Sequence, residues 1–187
     1  MSGSSTFEGV LIDWSLDRPV ESSGLPVDLL SKRQAAAELT RRQRWQAMDA
    51  AYEAELILRL AALTPDDDDP QAGSPGARAP GWSAGDDEVS GVSEFFAGEL
   101  ALVLNRGRGT ARHLHHRALA WAENLPATFA ALAAGELDLA RAAALADVLG
   151  TTRPDLARQV EALLLPEAVD LSVARLRARA LELLLEL

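Results

Sequence analysis

Residues 125–149, LPATFAALAAGELDLARAAALADVL, constrain the fold more than any other stretch of the chain. Pro126 suits the first position of a helix, where its missing N–H is not needed. Gly135 then supplies a stop, because glycine is favoured just past a helix end. Asp138 can accept a bond from the free amides that open the next helix. The stretch predicts two short helices split by a tight break. Composition points the same way. Apolar residues make up 48% of the chain but aromatic residues only 5%, so a core must be built from Leu, Ala and Val. Alanine and leucine are strong helix formers and β-branched residues are scarce, which predicts an all-α protein. At 187 residues the chain can hold one domain with a real core, plus tails.

The chain has no cysteine. That excludes a disulfide framework, a cysteine nucleophile and any thiolate metal site, and it fits a reducing cytoplasm, the expected compartment. The N-terminus, MSGSSTFEGVLIDW, has neither a basic start nor a long apolar run, so no signal peptide is expected. No stretch reaches the roughly 18 apolar residues of a membrane span. The formal net charge of −10 argues at first sight against nucleic acid. Its placement matters more: seven of the 28 acids, and one of the 18 bases, fall within residues 65–88.

Four segments follow from these patterns. Residues 1–25 read as a tail, or as a segment that docks through Leu11 and Trp14. Residues 26–63 read as one long amphipathic helix. It starts near Pro26 or at Ser31, which has capping-box spacing to Gln34. Trp45, Met48, Tyr52, Leu56, Leu60 and Leu63 recur at three- and four-residue steps and are expected to form its apolar stripe. Residues 64–88, with the run Asp66–Asp69 and repeated Pro and Gly, read as a disordered acidic linker. Residues 89–187 read as a compact array of about six short helices. In that array Val92, Phe95, Phe96, Leu100 and Val103 point inward, and Thr110 caps the helix carrying Leu114, Ala118, Trp121 and Leu125. Trp121 and Phe129 are expected to be largely buried. The next helices carry Leu156, Val160 and Leu163, then Val173, Leu176, Ala180, Leu183 and Leu187, the last opened by Ser172.

The block Asn105–Arg117, NRGRGTARHLHHR, holds four arginines, three histidines and no acid. It spans the turn and second helix of a helix–turn–helix-like pair, so Arg106, Arg108, Arg112, His116 and Arg117 are candidate nucleic-acid contacts. Arg108, Arg112, His115 and His116 are expected to share a face away from the apolar stripe. His113 and His116 lie one turn apart, but no carboxylate lies within a turn of them, so no metal site is expected. Arg175, Arg177 and Arg179 are spread around the last helix and read as a solvated face. Leu181, Leu184 and Leu185 fall off that helix's main stripe, so a partner, or a continuation past Leu187, is expected to cover them. Glu136 with Asp138, and Glu182 with Glu186, lack an accompanying nucleophile or base, so no catalytic residue, cofactor or small-molecule substrate is expected.

LPATFAALAAGELDLARAAAL resembles the actinobacterial 13E12-repeat family, also described as domain of unknown function 222. ELALVLNRGRGTARHLHHRALAWAENL resembles its helix–turn–helix-like segment, and RQVEALLLPEAVDLSVARLRARA resembles its next helices. The chain departs from the pattern at Leu139-Ala140-Arg141, where the family often has His-Ala-Arg. Family members usually carry this region ahead of an HNH endonuclease module. The only histidines here are His113, His115 and His116 and the only asparagines Asn105 and Asn124, so the resemblance does not imply nuclease activity. It implies a non-catalytic helical module that aids DNA association or assembly. The alternative is a protein–protein or dimerisation module with no nucleic-acid role. The partners implied are DNA, a second copy, or a downstream nuclease module; a membrane is not among them.

Overall fold

A computed structural model describes residues 26–70, 74–75 and 89–187. Among them every regular element is helical, and no strand occurs. The α-helices are α1 (Lys32–Ala62), α2 (Phe96–Val103), α3 (Arg108–Leu119), α4 (Pro126–Ala133), α5 (Leu139–Leu149), α6 (Pro154–Leu164) and α7 (Val173–Glu186). A π-helical turn, Ala120–Asn124, follows α3. No helix among the described residues is long and apolar enough to cross a membrane. The expectations for residues 1–25, with Leu11 and Trp14, and for 71–73 and 76–88 lie outside the described residues.

The chain divides into a unit ending at Thr40 and a unit of residues 41–187. In the first, Ser31 and Gln34 form the expected capping box: the Ser31 N–H donates to Gln34 Oε1 at 3.0 Å, and the Gln34 N–H reaches Ser31 Oγ at 3.4 Å. None of residues 26–40 is buried.

In the second unit, local sequence signals set the helix boundaries. Pro126 and Pro154 occupy first turns, and Asp138 and Ser172 accept from the backbone N–H groups of Arg141 and Arg175. Gly135 takes φ +68°, and its N–H and that of Glu136 close α4 onto Leu132 and Ala131. A Cβ there would lie 3.1 Å from the Arg44 carbonyl oxygen, so α1 also needs this glycine. Asn105, φ 49°, closes α2 with the same hydrogen-bond pattern onto Leu102 and Ala101.

Tertiary contacts lock these helices together. Trp121 Nε1–H donates to the Ala142 carbonyl at 3.0 Å, and its ring stacks on Phe129 at 6.1 Å. Glu161, buried on α6, accepts from the Thr128 N–H at 2.6 Å. It satisfies a free amide in the first turn of α4, where Leu125 has no side chain to do so. Asn124 donates to the Gly150 carbonyl at 2.7 Å and so covers the end of α5. Arg141 Nε reaches the Ala168 and Leu171 carbonyls at 3.0 and 2.9 Å, and its guanidinium also grips Asp138. Burial pushes the Asp138 carboxyl up, but the hydrogen bonds and charge of Arg141 outweigh it and hold the pKa below the usual value.

Several expected positions differ. The buried face of α1 is Ala47, Ala51, Ala54, Ile57 and Ala61. Trp45, Met48, Tyr52, Leu56 and Leu63 are exposed, and only Leu60 of the expected stripe packs on the core. The helix has two apolar faces, and the alanine face permits the closer approach to neighbours, as at Gly135. Gly107, rather than Thr110, precedes the first residue of α3. Phe95, Val103, Leu163 and Leu187 are exposed, because Phe96, Leu100, Leu164 and Leu183 already fill the inward positions beside them. The start of the expected linker is also held in place. The Ser93 N–H donates to the Thr64 carbonyl at 2.9 Å, while Asp69 accepts from Ser93 Oγ at 2.6 Å and from the Glu94 N–H at 2.8 Å. The last aspartate of the run thus serves the loop that leads into α2.

Candidate functional site

The basic block is divided by the fold. Arg106 and Arg108 are exposed at the α2–α3 turn, where Arg108 donates to the Glu94 carbonyl at 3.4 Å. Arg112 and His116 are half-buried on α3. Arg117 bonds the His113 ring and pairs with Asp147 on α5 at 3.5 Å. Asp147 also pairs with Arg177 on α7 at 2.7 Å. The block contains no acid, but the fold brings one to it, and part of its positive charge is matched internally.

His115 does not share an outward face with Arg108 and Arg112. It is 4% exposed, between Ala111 and Ala118 on the buried side of α3, with its ring edge-on to Phe96 at 4.7 Å. Small residues one turn on either side let α3 pack closely there, and the imidazole fills the gap. Leu114, expected in the core, is only half-buried. Burial, followed by the charge of His116, pushes the His115 pKa down to about 4.

His113, His116, Arg117, Asp147, Gly150 and Thr151 are among the residues that line a cleft of about 340 Å³. Among the described residues no group of three or more His, Asp or Glu is placed to hold a metal ion. On α7, Leu181 and Leu185 are exposed, the latter at 90%, whereas Leu184 is half-buried against the core. Of the expected patch, Leu181 and Leu185 are therefore exposed and Leu184 is not. Arg179 lies near Glu167, Glu182 and Glu186, which accords with a solvated face.

The more extensive surface is the apolar stripe that periodicity outlines on α1. Trp45, Met48, Tyr52, Leu56 and Leu63 are between 44 and 62% exposed, on the side of α1 opposite its buried alanines. At 1.5 Å per residue, Trp45 to Leu63 spans about 27 Å. The Arg41 and Arg42 guanidiniums lie 4.6 and 5.5 Å from the Trp45 ring centre, so cations mark the N-terminal end of the stripe. Its periodicity was legible in the sequence.

Comparison with protein-family models, curated proteins and solved structures gives no match.

Proposed function

We propose that this chain is a helical assembly module that docks a protein partner on the outer face of α1, with no catalytic role of its own. The observation that carries the reading is the exposed row of Trp45, Met48, Tyr52, Leu56 and Leu63. Clustered exposed apolar side chains of this kind mark interaction sites, and Trp, Tyr and Met are enriched in interface cores. The resemblance to the 13E12-repeat region, found ahead of a nuclease module, supports an assembly role. The absence of cysteine is in keeping with work in the cytoplasm.

Hydroxyl-radical footprinting tests this reading. Trp45, Met48 and Tyr52 are expected to be oxidised markedly more slowly in extract of the cells that make the protein than in dilute pure protein. Full reactivity of the stripe in both settings removes the reading.

A second reading, DNA association, is favoured by the exposure of Arg106 and Arg108 beside Arg112 at a helix–turn–helix-like turn. With about three phosphate contacts, affinity for duplex DNA is expected to fall about 2.7 decades per decade of salt. Replacing all three arginines with alanine is expected to abolish binding without loss of helix content. No binding to duplex at low salt discards this second reading.

A further inference from the structure

We infer that the partner on the outer face of α1 is a second copy of this chain, paired antiparallel about a two-fold axis near Ala54. The inference rests on the assembly reading and names its partner.

Two features of the stripe set the direction. Its bulky members, Trp45 and Tyr52, occupy the N-terminal half, and the leucines Leu56 and Leu63 the C-terminal half. A parallel pair sets aromatic against aromatic and leucine against leucine. An antiparallel pair sets Trp45 of one copy against Leu63 of the other and Tyr52 against Leu56, so large residues meet smaller ones, as close packing requires.

The segments beside the two ends of the stripe also differ in charge. Arg41, Arg42 and Arg44 stand at the Trp45 end, and the exposed Asp66 and Asp67 lie just past the C-terminal end of α1. In a parallel pair the arginine ends meet each other and the aspartate ends meet each other. In the antiparallel pair each arginine end meets an aspartate end, and the symmetry makes this contact twice. Two features oppose the pair: the exposed Asp49 and Arg59 stand within the stripe, and Glu53 and Glu55, on the two margins near the axis, meet their own copies. Neutralisation of the glutamates, Glu53→Gln with Glu55→Gln, is expected to tighten association.

Sedimentation equilibrium is expected to show a reversible dimer of twice the 20.0 kDa chain mass. Tyr52→Glu is expected to weaken it by about 30-fold or more, the effect of losing one interface hot spot. The side chain is exposed, so the melting temperature of the dilute monomer is expected to stay unchanged. Arg41→Asp with Arg42→Asp is expected to weaken the dimer, and adding Asp66→Arg with Asp67→Arg to restore it. The native chain has no cysteine, so single-cysteine variants report orientation cleanly. Trp45→Cys mixed with Leu63→Cys is expected to cross-link under diamide. Neither variant is expected to cross-link alone, because like positions lie about 27 Å apart.

Self-linking of Trp45→Cys with no mixed product overturns the antiparallel arrangement. A chain that stays monomeric when pure, but whose stripe is protected in extract, overturns self-pairing and leaves the assembly reading standing. A pure monomer whose stripe becomes reactive only after deletion of residues 1–25 shows that the chain's own Val10–Trp14 segment is the occupant, and also overturns it. A monomer reactive in both settings removes both readings.

Discussion

Trp121→Ala is expected to cost about 3–5 kcal/mol of folding stability, the usual range for truncating a buried aromatic side chain. Trp121 is 3% exposed and joins three elements. It sits in the π-helical turn after α3, its ring stacks on Phe129 of α4, and its Nε1–H bonds the Ala142 carbonyl inside α5. Alanine removes the stacking and leaves a void that the surrounding helices cannot fill without moving. The loss is a large share of the 5–15 kcal/mol that typically holds a domain folded, so about half of the protein's resistance to urea is at stake. Trp121→Phe separates the parts. It keeps most of the ring volume but loses the indole donor, and a net cost of about 1 kcal/mol is expected for that bond. A Trp121→Ala variant with an unchanged urea midpoint contradicts this account of the packing.

The second large effect is a fall in stability with acid, carried by His115. In the unfolded chain its imidazole titrates near 6.5, but in the folded protein burial first, then the charge of His116, pushes the pKa down to about 4. Between those values the unfolded chain binds a proton that the folded protein does not, so stability rises with pH across this interval. His115 therefore contributes fully above pH 6.5 and loses its contribution as pH falls towards 4. The whole interval corresponds to about 3 kcal/mol. Its Nε2 is buried without a hydrogen-bond partner, which is why a proton there has nothing to compensate it. Asp138 acts in a lower window: its depressed pKa gives stability that is lost only as pH falls below the ordinary aspartate range. Urea unfolding at pH 7 and pH 5 checks the point, with His115→Gln as the control. The native chain is expected to lose more stability between the two pH values than the variant. Parallel losses in both proteins rule out His115 as the cause.

Most helix boundaries were legible in the sequence, because cause and effect there lie within about four residues, although Thr110, expected as a cap, lies inside α3. Pro126, Asp138, Ser172, the Ser31–Gln34 pair and Gly135 act through the missing amides, caps and left-handed turns of their own helix ends. The all-α class follows from composition, and the array of about six short helices after residue 89 from apolar periodicity. The buried Trp121 was legible too, as a large apolar residue on a helix with few others.

The tertiary structure decided which face of each helix is used. α1 carries two apolar faces, and periodicity favours the one with the larger residues, yet the fold buries the alanines. Side-chain size measures what burial can gain, whereas packing between helices is limited by how closely their backbones can approach, and only the neighbouring surface sets that. The same reason places His115 inside and leaves Leu163 outside. The long-range partners were invisible for a simpler reason. Asp147 comes to Arg117 from 30 residues away in sequence, Glu161 to Thr128 from 33, and Asp69 to Ser93 from 24. Nothing in the local chain specifies those distances, which arise only when packed helices bring remote side chains to the same place.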